Sequence, residues 1–73
     1  MTIDEIRTQI EAIKDAATKD YEWAHILEDD LKADFIEYVA TFVGEEDPKL
    51  DDLARKAFLV SSTKNIDFNR YCA

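Results

Sequence analysis

The chain reads as an all-α protein, a small three-helix bundle, on three observations. Apolar residues recur at alternating steps of three and four in three separate segments, the spacing that lines one face of a helix. Residues suited to helix caps precede each segment: Thr2, Asp20 and Asp47. The 73 residues contain one Gly and one Pro, too few turn formers for the many short strands of a β-sandwich.

The first helix is expected over 3–17. Thr2 is its N-cap and Glu5 follows three residues later, the spacing of a capping box. Ile3, Ile6, Ile10, Ile13 and Ala17 form its apolar stripe, with Arg7, Glu11, Lys14 and Asp15 left for solvent. Asp20 caps the second helix, expected over 21–43 and ended by Gly44 in a left-handed position. At about 100° per residue, Tyr21, Ala24, Leu27, Leu31, Phe35, Tyr38, Val39 and Phe42 share one broad face. A weaker stripe of Ile26, Ala33, Ile36 and Ala40 runs along the opposite side. Apolar residues on two sides of one helix imply neighbours on two sides, so that stripe is a candidate surface for self-association as a homodimer.

Asp47 followed by Pro48 predicts a third helix over 48–60, a side-chain cap and then Pro at the first helical position. Leu50, Leu53, Ala57 and Val60 form its stripe, widened by Ala54 and Phe58, and Ser61, Ser62 and Thr63 are expected to end it. The remaining tail carries Ile66, Phe68 and Tyr71. Three large apolar groups predict a docked tail rather than a loose one. With no internal repeat and no long linker, the expectation is a single helical domain spanning 1–73.

The net charge is −8, and its distribution is uneven. Residues 1–19 hold four acids and three bases, residues 20–52 twelve acids and two bases, and residues 53–73 one acid and four bases. The charge therefore concentrates on the second helix and the acidic loop after it. Such a surface repels phosphate backbones, so no direct nucleic-acid partner is expected. A lone Cys72 cannot form an internal disulfide, which suits a reducing compartment. The first residues have no basic stretch followed by a long apolar run, so neither a signal peptide nor a membrane contact is expected, and the expected location is cytoplasmic.

Few constellations suggest chemistry. His25, the only histidine, has Glu22, Glu28 and Asp29 at helical neighbour positions. Together they outline a metal-assisted hydrolase as one alternative, although bundle metal sites draw ligands from several helices and no second Glu-x-x-His occurs. Helical nucleotide pyrophosphohydrolases carry repeated Glu-x-x-Glu pairs, and this sequence has none. No metal, cofactor or enzymatic activity is expected. Glu28 falls between Ala24, Leu31 and Phe35 on the apolar face, so with His25 it is a buried polar candidate, and a partner such as Arg55 or Lys56 is expected for it. Glu22, Asp29, Asp30, Asp34 and Glu37 on the second helix, with Glu45 and Glu46 in the loop, are candidate contacts to a basic surface on another protein. The leading expectation is thus a small acidic protein-binding module, an adaptor or inhibitor. A self-assembling structural protein is the alternative.

Two stretches carry a resemblance. Asp20-Tyr21-Glu22-Trp23-Ala24-His25 leading to Glu28-Asp29-Asp30-Leu31 is one, and the closing Ile66-Asp67-Phe68-Asn69-Arg70-Tyr71-Cys72-Ala73 is the other. Together they resemble a group of short uncharacterised proteins of bacteriophage and bacterial genomes that often end in Asp-Phe-x-Arg-Trp-Cys-Ala, with Tyr71 here in place of the Trp. The resemblance covers about eighteen residues and lends no activity. It implies a phage-borne or bacterial protein working in the (host) cytoplasm, and it marks Ala24, His25, Glu28, Asp29 and the tail as positions of interest.

Overall fold

The computed structural model describes residues 1–42, 49–68 and 70. It is an all-α three-helix bundle, with no strand among the described residues: α1 (Ile3–Ala17), α2 (Tyr21–Ala40) and α3 (Leu50–Ser61), followed by a 3₁₀ turn over Ser62–Asn65. Thr2 caps α1 by accepting the Glu5 amide at 3.1 Å. Asp20 caps α2, taking the amides of Glu22 at 3.1 Å and Trp23 at 3.3 Å. Between these helices only Thr18, Lys19 and Asp20 intervene, so α2 folds back along α1, and this pair makes the most extensive packing in the molecule.

The core sits where the three helices meet. Ile6, Ile10 and Ile13 from α1, Leu31 from α2 and Val60 from α3 are buried together. Met1, Leu27, Phe35, Leu59, Ile66 and Phe68 pack around them half-buried. At roughly 1.5–3 kcal/mol per buried aliphatic side chain, these few groups are a small core for a chain of this length. Ile66 and Phe68 belong to that shell, so the tail docks as expected; Tyr71 and Cys72 lie outside the described residues.

The boundaries differ from the periodicity in two places. The second helix stops at Ala40 rather than 43, with Thr41 turning its hydroxyl onto the Tyr38 carbonyl at 2.6 Å; that local bond competes with continued helix. Val43, Gly44, the loop acids Glu45, Glu46 and Asp47, and Pro48 lie outside the described residues. The third helix spans Leu50–Ser61 with Lys49 as its cap residue; the expected start at Asp47 and Pro48 falls outside the described residues. It also ends later than 60, at Ser61, and the chain winds on to Asn65. The α-helix gives way at Ser62, as the Ser61-Ser62-Thr63 run predicts, to a 3₁₀ turn in which the Ser62 and Thr63 hydroxyls donate back to the carbonyls of Leu59 and Val60.

The buried face of α3 is rotated from the expected stripe. Leu50, Ala54 and Phe58 are exposed, while Leu59 packs on the core and Lys56 is buried. Lys56 lies inside because its ammonium has partners there: it donates to the Tyr38 hydroxyl at 2.8 Å and pairs with Asp52 at 2.6 Å. Its stem covers apolar surface while these contacts hold the charge. The Asp52 contact, and after it the Tyr38 contact, raises Lys56 above its ordinary pKa; the same Lys56 contact lowers Asp52.

Candidate functional site

Every described residue that the sequence marks as a site candidate lies on α2, while Glu45 and Glu46 fall outside the described residues. The inward side of α2 holds Glu28, 3% exposed and the one buried carboxylate among the described residues. Neither Arg55 nor Lys56 reaches it. Its partners are Arg70, which donates Nε to Oε1 at 3.2 Å and NH2 to Oε2 at 3.0 Å, and Lys32 one turn on at 3.5 Å. Lys56 is already engaged with Asp52 and Tyr38, and Arg55 faces solvent.

Arg70 suits this role because its planar fork matches a carboxylate bidentately. The same guanidinium donates to the carbonyls of Thr63 and Ile66, both at 3.0 Å, and of Phe68 at 3.4 Å, and it lies 3.8 Å from the centre of the Phe68 ring. It thus closes the tail into a compact turn and ties that turn to the middle of α2. Burial pushes the Glu28 carboxyl up, but the Arg70 hydrogen bond and the charges of Lys32 and Arg70 outweigh it and hold the carboxyl below its ordinary value. Glu28 is therefore an ionised structural anion, not a carboxyl poised to carry a proton.

His25 lies at the margin of the packed face. Its Nε2 sits 3.3 Å from Asp29, and its Nδ1 is buried with no hydrogen-bond partner among the described residues. Glu22, His25, Glu28 and Asp29 do not converge, since Glu28 turns to Arg70 and His25 to Asp29. No group of three or more His, Cys, Asp and Glu side chains able to hold a metal occurs among the described residues.

The outer side of α2 is different. Ile26, Ala33, Ile36 and Ala40 are all exposed, as are Trp23 and the acids Glu22, Asp29, Asp30, Asp34 and Glu37. Apolar and acidic residues interleave there. Ile26 has Glu22, Asp29 and Asp30 at i−4, i+3 and i+4; Ala33 has Asp29, Asp30 and Glu37 at i−4, i−3 and i+4. Glu22, Asp30, Asp34 and Glu37 take no ion pair from any described residue. The result is an apolar centre line with unneutralised carboxylates on both flanks.

Ile36 stands apart from that line. Its i±3 and i±4 neighbours are Lys32, Ala33, Val39 and Ala40, none of them acidic. It borders an open groove of about 290 Å³ between α2 and α3, lined by Lys32, Phe35, Ile36, Ala57, Val60 and Ser61. Periodicity marked Ile36 as one stripe with Ile26, but the fold assigns them to different surroundings.

No protein-family model, curated protein or solved structure matches the chain. Among the described residues, no helix is long and apolar enough to cross a membrane.

Proposed function

We propose that this chain is a small acidic protein-binding module, an adaptor or inhibitor, whose outer α2 face and following acidic loop engage a basic surface on another protein. The observation that carries this reading is the exposed line of Trp23, Ile26 and Ala33 set among Glu22, Asp30, Asp34 and Glu37, which no described cation pairs. Exposed apolar groups gain by burial. Burying them against a neutral or acidic surface would strand four or more negative charges, whereas Lys and Arg around an apolar anchor satisfy both requirements. The same charges accelerate encounter with a basic partner and make the association salt-dependent. The resemblance to phage and bacterial proteins extends the reading to a host protein in a bacterial cytoplasm. A binding role rather than a catalytic one also accords with Glu28, whose charge is committed to Arg70 and Lys32.

Trp23 is the only tryptophan and lies one turn before Ile26, so its fluorescence reports directly on this face. The test is a titration with a helical peptide that presents a leucine line flanked by lysines. The expected result is a saturable change in Trp23 emission that weakens at least tenfold when Asp30, Asp34 and Glu37 become Lys. No response, or an equal response to a peptide flanked by glutamates, refutes the reading.

A further inference from the structure

The outer side of α2 repeats every seven residues. Trp23, Asp30 and Glu37 hold one position of that repeat, and Ile26, Ala33 and Ala40 hold the position three residues on; all six are exposed. The same step on the inward side meets Ala24 and Leu31, both buried, and then Tyr38, half-buried. The bundle therefore packs one side of the repeat and leaves the other whole, over about 26 Å of helix from Trp23 to Ala40 at 1.5 Å per residue. Lys32, the one Lys or Arg on α2, turns to the buried Glu28. No described cation pairs with Asp30, Asp34 or Glu37.

The period decides the shape of what covers this side. Residues seven apart are about 10.5 Å apart along the axis, and a second helix with its own heptads stays in step with them by wrapping slightly around the first. An extended strand repeats on one face every ~6.7 Å and loses register after the first contact. The charge decides the chemistry. Asp30 and Glu37 alternate with Ile26, Ala33 and Ala40 along the centre of the face, so they meet the partner directly. A facing leucine would strand their carboxylates, a facing acid would repel them, and a facing Lys or Arg pairs with them. A second copy of this chain fits poorly for the same reason, since pairing this face with itself sets carboxylates against carboxylates.

Resting on the protein-binding role proposed above, we infer that the partner contributes a single basic amphipathic helix, which lies along α2 as the second strand of a short coiled coil. Its apolar residues cover Ile26, Ala33 and Ala40, and its Lys or Arg residues meet Asp30 and Glu37. The partner is thus recognised by charge and by period together.

Two synthetic peptides of roughly 14 residues, near the length at which an isolated helix is marginal, test this against the full chain. They share one composition of leucine and lysine; one carries leucine at heptad spacing and the other alternates the two residues. The heptad peptide is expected to saturate the Trp23 emission change at least tenfold more tightly than the alternating one. Its mixture with the protein is expected to show more helix by far-UV circular dichroism than the two measured apart. Asp30→Asn combined with Glu37→Gln weakens its binding at least tenfold, whereas Asp51→Asn, an equally exposed acid on α3, leaves it within threefold. Equal binding of the two peptides, saturation without added helix, or equal weakening by the α2 and α3 variants overturns the helical partner while leaving a basic partner in place. No response to either peptide overturns both.

Discussion

Replacing Arg70 with Ala removes five hydrogen bonds at once, two to Glu28 and one each to the carbonyls of Thr63, Ile66 and Phe68. Glu28, 3% exposed, keeps Lys32 at 3.5 Å and the Thr63 hydroxyl that also helps hold its charge. Orphaning one member of a buried ion pair costs about 3–5 kcal/mol. The Arg70 side chain is 34% exposed and Lys32 stays, so screening and partial compensation reduce the expected loss to ~2 kcal/mol. Domains of this size are stable by roughly 4–11 kcal/mol at the usual value per residue, so the variant forfeits a substantial part of its stability. Urea unfolding followed by far-UV circular dichroism measures it, with the midpoint falling by about 2 M for a slope near 1 kcal/mol/M. A double-mutant cycle with Glu28→Gln separates the orphaned charge from the lost tail contacts. The double variant is expected to be about 1 kcal/mol or more closer to wild type than the two single losses added together. A loss below ~0.5 kcal/mol for Arg70→Ala, or simple additivity in the cycle, refutes the tie between tail and helix.

Three further outcomes follow from the same contacts. Because the Glu28 carboxyl is held below its ordinary value of 4.5, its contribution to stability is complete above that pH and is lost as pH falls through the lower folded value. The stability gap between wild type and Glu28→Gln should therefore narrow in acid, as read by urea midpoints at neutral pH and below pH 4.5. Asp20→Ala removes the acceptor for two amides at the start of α2 and is expected to cost about 1 kcal/mol in the same assay; a change within about 0.3 kcal/mol contradicts the cap. Tyr38→Phe deletes the hydroxyl that accepts from Lys56 and is expected to cost about 1 kcal/mol, visible as a lower thermal midpoint.

Much of the fold was legible because α1 and the inward side of α2 follow helical spacing, and Thr2 and Asp20 act as the caps their residue types suggest. α3 was harder to read. A lysine is ordinarily assigned to solvent, yet Lys56 is buried because Tyr38, eighteen residues away, and Asp52 receive its charge. That assignment turns the helix and leaves Phe58 outside. Glu28 was placed correctly on the packed face, but its partner lies 42 residues along the chain, beyond the reach of local periodicity. The available signal was an arginine within a tail that also carries Ile66 and Phe68. For the candidate binding face, sequence supplied the acids and the stripe; exposure and neighbours in the fold divide that stripe into an acid-flanked part around Ile26 and an acid-free part around Ile36.

The proposed binding of a basic protein by the acidic α2 face is tested most directly by affinity purification from nuclease-treated bacterial lysate. Tagged wild type is compared with the Asp30→Lys, Asp34→Lys, Glu37→Lys variant, both confirmed helical by circular dichroism, and retained proteins are quantified by mass spectrometry. The expected result is a stoichiometric protein retained by wild type, released by raised salt and lost from the variant. Retention of the same proteins by both forms, or of none by wild type, contradicts the account.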